Sequence, residues 1–81
     1  MVKVTFYSLL RSNYNITEEF VEPGSINDII NQIINKYPNI KKSSFRYCVV
    51  FNKGKPINYY GFDSLIEDGE DIIITHFVGG G

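Results

Sequence analysis

The residues of this chain that could do chemistry lie at its end. Ile72-Ile73-Ile74-Thr75-His76-Phe77-Val78 leads directly into Gly79-Gly80-Gly81, so an apolar run finishes in a thin thread with a carboxylate at Gly81. Glycine has no Cβ and adds no width, and three extended residues reach roughly 10 Å, enough to enter a narrow active site. A carboxylate is a poor electrophile until activated. Attack on the α-phosphate of ATP gives an acyl-adenylate, from which a thiol, sulfide or amine displaces AMP. The competing reading of such a tail is a frayed terminus without chemistry. His76 is the candidate general base near the carboxylate, but a residue fixed in a strand several positions back is poorly placed to follow a tail, and its structural reading is preferred. Cys48, the single cysteine, sits in Tyr47-Cys48-Val49-Val50-Phe51, where a buried structural thiol is expected. The sequence shows no phosphate-cradling loop, no metal-spaced His/Cys set and no nucleophile paired with a base.

Eighty-one residues with 43% hydrophobic and 15% aromatic content make one small globular domain. A single cysteine allows no internal disulfide, the first ten residues alternate without a cleavage signature, and no apolar run approaches the ~20 residues of a membrane span. A cytoplasmic protein without membrane contact is expected. The formal charge of −1 conceals an asymmetry. Lys36, Lys41, Lys42, Arg46, Lys53 and Lys55 share an acid-free stretch, whereas Asp63, Glu67, Asp68, Glu70 and Asp71 cluster before the tail. The basic stretch, with Phe45 and Tyr47, reads as a solvated face rather than a nucleic-acid contact. Glu67, Asp68, Glu70 and Asp71, close to the tail in sequence, are candidates for an acidic surface that meets a basic patch on a partner. The alternative is that Asp68 and Glu70 serve only the turn.

Several elements must position that tail. Val2, Val4 and Phe6 alternate with polar residues in a first strand over roughly 2–9. A second strand is expected over 16–22, with Ile16 and Phe20 on one face and Val21 on the other. Pro23-Gly24 ends it. Ser25, with Asp28 three residues on, opens a helix whose stripe is Ile26, Ile29, Ile30, Ile33, Ile34 and Tyr37, and Pro38 stops it. After a polar basic connector, 47–51 is a central strand; Asn52-Lys53-Gly54-Lys55-Pro56 is a turn, and 57–60 a short edge strand. Phe62 and Leu65 form a buried plug, Glu67-Asp68-Gly69-Glu70 a tight turn, and 72–77 the last strand. The isoleucine stripe is expected to pack on a sheet built partly from Val4, Phe6, Val49, Phe51, Ile72 and Ile74. Runs of strands with one helix on one face define an α+β domain over 1–78, with 79–81 as a glycine tail.

This succession resembles the MoaD/ThiS family of ubiquitin-like sulfur carriers. The likeness runs through Val2-Lys3-Val4-Thr5-Phe6-Tyr7, Leu10-Arg11, Gly24-Ser25-Ile26, Tyr37-Pro38 and Val49-Val50-Phe51-Asn52-Lys53-Gly54-Lys55. Its most specific part is Leu65-Ile66-Glu67-Asp68-Gly69-Glu70-Asp71-Ile72, placed shortly before the terminal glycines. The chain departs from the family in the Glu-Asp order after Gly69, in His76 where proline is frequent, and in ending on three glycines rather than two. The resemblance implies a β-grasp fold, a mixed four- to five-stranded sheet with one main helix on one face. It implies a non-catalytic carrier whose Gly81 carboxylate is adenylated by a ubiquitin-activating-type partner and becomes a thiocarboxylate, with ATP and Mg²⁺ held by that partner and no cofactor held here. Length and the Leu-Arg and Tyr-Pro matches favour molybdopterin synthesis, with the molybdopterin synthase large subunit or an equivalent acceptor as second partner. Phe77 and Val78 would dock on a partner or cap the domain's own core. A thiamine-pathway carrier, a ubiquitin-like modifier of lysines and a plain interaction domain are the alternatives.

Overall fold

The computed structural model describes residues 1–7 and 14–76, with His76 described by its backbone alone. Seven strands and a main helix are present among these residues: β1 (Val2–Phe6), β2 (Glu18–Val21), β3 (Gly24–Ser25), α1 (Ile26–Lys36), β4 (Cys48–Asn52), β5 (Lys55–Ile57), β6 (Leu65–Ile66) and β7 (Asp71–His76). Five strands form one mixed sheet in the order β2-β1-β7-β4-β5, and β3 pairs with β6 in a separate two-stranded ribbon. β7 lies at the centre, parallel to β1 and antiparallel to β4. This is the architecture that the β-grasp resemblance implies.

The helix starts where its cap predicts. Ser25 Oγ accepts from the Asp28 N–H at 3.0 Å, and the Asp28 carboxylate accepts from the Ser25 N–H at 3.3 Å, a complete capping box. β3 delivers Ser25 to that position by pairing with Leu65, and the Ile26 N–H donates to the Ser64 carbonyl at 3.0 Å. Ile26, Ile29, Ile30 and Ile33 are buried against Val2, Val4 and Phe6 of β1 and Ile72 and Ile74 of β7, while Ile34 and Tyr37 flank the core half-exposed. Isoleucine is a mediocre helix former, so this packed face holds α1 together. At its far end, Glu19 of β2 accepts from Lys36 Nζ at 2.7 Å and from the Tyr37 hydroxyl.

Three expectations of side-chain phase are corrected. In β4 the core residues are Cys48 and Val50, whereas Val49 and Phe51 lie on the open face of the sheet, half-buried. In β2 Val21 points inward and Phe20 is 55% exposed; Ile16 is buried, but precedes the strand. The loop plug is Phe62 with Ile66, while Leu65 is 75% exposed. A near-continuous apolar run carries no alternation from which to read a face, and a one-residue slip inverts every side chain. The pairing decides it: Val50 lies opposite Ile74, and Ile74 beside Phe6. Val50→Ala should therefore cost about 2 kcal/mol, and Val49→Ala less than ~1 kcal/mol, in denaturant unfolding. The basic connector is no plain loop either. It folds as a 3-10 segment, Lys42–Tyr47, and contributes Ile40 and Phe45 to the core.

The turn Asn52-Lys53-Gly54-Lys55 is a two-residue hairpin with both central φ positive (Lys53 +53°, Gly54 +78°), and it places Pro56 in the edge strand β5 as its ring requires. The expected second half of the first strand (8–9) and the start of the following loop (10–13) lie outside the described residues.

Candidate functional site

The site is built on β7, because the glycine tail follows that strand. Its backbone is paired with β1 as far as Ile74 and with β4 as far as His76: Thr5 lies beside Ile73 and Phe6 beside Ile74 in β1, the Tyr7 N–H donates to the Ile74 carbonyl at 3.0 Å, and in β4 Val49 lies opposite Thr75 and Cys48 opposite His76. A central strand held on two edges is a rigid mount. Phe77, Val78, Gly79, Gly80 and Gly81, together with the His76 side chain, lie outside the described residues.

Around the end of β7 stand Tyr7, 43% exposed, and Tyr47, 69% exposed. Tyr47 directly precedes the residue that pairs with His76. Arg46, one residue further back, is exposed and lies over the Tyr59 ring at 5.3 Å from its centroid. Cys48 Sγ points inward, donates to the Ser44 carbonyl at 3.5 Å and is buried. Burial pushes its thiol up to about 12, so it stays protonated and inert, in keeping with a structural role. No group of three His, Cys, Asp or Glu side chains that could hold a metal occurs among the described residues.

The acids occupy the other end. Asp71 opens β7 and His76 closes it, a separation of about 16 Å along the strand. Asp68 pairs with the Met1 ammonium, while Met1 O accepts from the Gly69 N–H at 3.1 Å. The Glu70 carboxylate accepts from Asn52 Nδ2 at 2.9 Å and from the Glu67 N–H at 2.8 Å, with Lys53 Nζ at 3.6 Å. Asp68 and Glu70 thus hold the turn, the N-terminus and the hairpin together. Glu67 and Asp71 are exposed beside them. Closeness to the tail in sequence is not closeness in space here, because the strand between them is extended.

These contacts lower carboxylate pKa values. Asp68 is lowered by its bond to the N-terminal amine, Glu70 chiefly by Asn52, and Glu19 by Lys36 and then Tyr37. For a carboxylate whose folded value lies below its ordinary one, the stabilisation is complete above the ordinary value and is lost as pH falls through the folded value. Glu19, ordinarily 4.5, gives the clearest case, since it joins β2 to the end of α1. Glu19→Gln should lower the melting temperature at neutral pH, and this deficit should close as acid protonates the wild-type carboxylate. A deficit that persists unchanged through the acid transition would contradict the assignment. The Glu19–Lys36–Tyr37 group escapes sequence reading, because its members lie 17 and 18 residues apart.

No protein-family model matches the chain, and no curated protein matches it in sequence. Solved structures do match. Small archaeal modifier protein 1 from Methanosarcina acetivorans is similar with a TM-score of 0.78 and 23% identity, over 99% of this chain and 95% of that one. A chain of the Amycolatopsis orientalis BexX/CysO complex is similar with a TM-score of 0.73 and 18% identity, over 100% of both. Urm1 from Sulfolobus solfataricus gives 0.65 and 23%, over 93% of this chain and 99% of that one. The fold is the ubiquitin-like β-grasp, with a five-stranded mixed sheet and one main helix. No helix among the described residues is long and apolar enough to cross a membrane.

Proposed function

We propose that this chain is a sulfur carrier whose Gly81 carboxylate is the reacting group, serving molybdopterin synthesis. The observation that carries this reading is the mounting of the tail: a ubiquitin-like domain in which the central, doubly paired strand β7 leads straight into Val78-Gly79-Gly80-Gly81. A rigid body followed by a thread of glycines can present one carboxylate inside another protein's site. A carboxylate oxygen of Gly81 attacks the α-phosphorus of ATP, the bond to pyrophosphate breaks, and an acyl-adenylate forms. Hydrosulfide-level sulfur then attacks the carbonyl carbon, AMP leaves with the bonding pair, and a thiocarboxylate remains. The described side chains offer no activated nucleophile, since the one thiol is buried and protonated. ATP and Mg²⁺ belong in this reading to a ubiquitin-activating-type partner. Phe77 and Val78 are its apolar contacts where the tail leaves the sheet, with Gly79 and Gly80 in its channel. Of the acidic candidates, Glu67 and Asp71 are exposed at the opposite end and available to a second partner, the synthase subunit that accepts the sulfur, whereas Asp68 and Glu70 serve the turn.

One comparison favours a second reading. The similarity to a small archaeal modifier protein fits transfer of the activated Gly81 to lysine ε-amines, which uses the same adenylate. Incubation with ATP, Mg²⁺, a sulfide donor and the ubiquitin-activating-type enzyme of the same organism separates the two. Sulfur carriage gives the mass gain of one oxygen-for-sulfur exchange on the intact chain, and modification gives a ladder of conjugates on lysine-bearing proteins. An unchanged mass without conjugates would refute both.

A further inference from the structure

The four ion pairs among the described residues distribute charge unevenly. They engage the Met1 amine with Asp68, Lys3 with Glu18, Lys36 with Glu19 and Lys53 with Glu70. Lys41, Lys42 and Arg46 have no carboxylate partner among the described residues, and all three are exposed. They belong to the connector that feeds β4, and β4 begins at Cys48, opposite His76. Lys42, at the start of the 3-10 segment, lies beside Asn27 and Ile30 of α1, and Arg46 and Tyr47, at its end, lie next to the start of β4 and so to the strand end from which the tail departs. The connector that leads to the reactive end of the sheet thus carries three exposed cations without a carboxylate partner among the described residues, against one, Lys55, in the hairpin at the far end, where Asp68 and Glu70 are engaged with internal partners.

We propose that the enzyme which activates the tail docks on this connector, with an acidic surface of its own facing Lys41, Lys42 and Arg46 and with Tyr47 at the contact. The inference rests on the carrier reading above and reverses the expected polarity of recognition, in which acids of this chain would meet bases of the partner. Lys41 and Lys42 are exposed side by side without a carboxylate among the described residues, and Arg46 lies over the Tyr59 ring without one, so a complementary anionic surface is the partner that their charge fits. Tyr47 adds an exposed ring of the type that anchors interfaces. A nucleic acid fits less well. Phe45, the other aromatic residue of the connector that could stack on bases, is buried in the core, and about three phosphate contacts support only weak, strongly salt-dependent binding.

The test is ATP–pyrophosphate exchange by the ubiquitin-activating-type enzyme, measured against carrier concentration at low and physiological salt. Lys41→Glu/Lys42→Glu should raise the half-saturating carrier concentration about tenfold at low salt with the plateau rate unchanged, and should weaken its salt dependence. Arg46→Gln, a milder change with a melting check, should shift it in the same direction. Lys55→Glu reverses one charge in the hairpin at the other end of β4, as each of the connector lysine substitutions does, and should stay within about twofold of wild type. The proposal is overturned if Lys41→Glu/Lys42→Glu stays within that margin, or if Lys55→Glu weakens docking equally. It is also overturned if a single-stranded RNA oligonucleotide binds wild type and loses the doubly substituted variant while exchange is unaffected. Wild type that supports no exchange refutes the carrier reading itself, an outcome distinct from exchange that ignores the connector.

Discussion

Deleting Gly81 should reduce adenylation by about 10²-fold or more while leaving the melting temperature unchanged. The deletion retracts the carboxylate by about 3.3 to 3.6 Å, and a misplacement of ~1 Å can already cost 10²-fold in rate. Nothing in the described core depends on the tail: Ile72 and Ile74 are buried, and β7 is paired with β1 up to Ile74 and with β4 up to His76. Gly80→Val should give the same combination for a different reason, because a branched side chain enters a channel shaped for bare backbone. Adenylation and thermal melting of the two variants check both halves. If the Gly81 deletion is adenylated as well as the full chain, Gly79-Gly80 is the working pair. If both variants are fully active, the tail is not the reactive element.

The second large effect is on stability. Ile30→Ala should cost about 2 to 5 kcal/mol, since Ile30 is buried mid-helix and truncation leaves a cavity between α1 and the sheet. For a domain of this size such a loss lowers the melting temperature by roughly 10 °C or more and consumes a large part of a total stability of about 5 to 15 kcal/mol. Ile34, at the half-exposed margin of the stripe, should cost clearly less when truncated. Equal effects at both positions in a denaturant titration would contradict the observed orientation of α1.

The helix was legible because two independent signals agree over 25–37: isoleucines at helical spacing, and a Ser-x-x-Asp start whose bonds are both formed. The edge position of β5 followed from Pro56. Phe20 and Val21 do face opposite ways, but faces were misread in the apolar run Val49-Val50-Phe51, because only cross-strand register decides between neighbours. Ile40 and Phe45 were hidden among lysines, where composition suggests solvent. The acidic turn was the most instructive case. That Asp68 would hold the amine of Met1, 67 residues away, has no trace in local pattern, and a candidate docking surface was accordingly placed beside the tail rather than a strand's length from it. That the connector's cations have no carboxylate partner among the described residues became visible only once the four ion pairs were known.

The central claim is that the sulfur ends on the last glycine, and the most direct test locates it. After reaction with ATP, Mg²⁺, the ubiquitin-activating-type enzyme and a sulfide donor, cleavage at Asp71 releases fragment 72–81, which is weighed beside the fragment that contains Cys48. One oxygen-for-sulfur exchange is expected on the fragment ending at Gly81, with an unmodified Cys48 fragment. An unchanged tail fragment, or sulfur carried on Cys48, would contradict it.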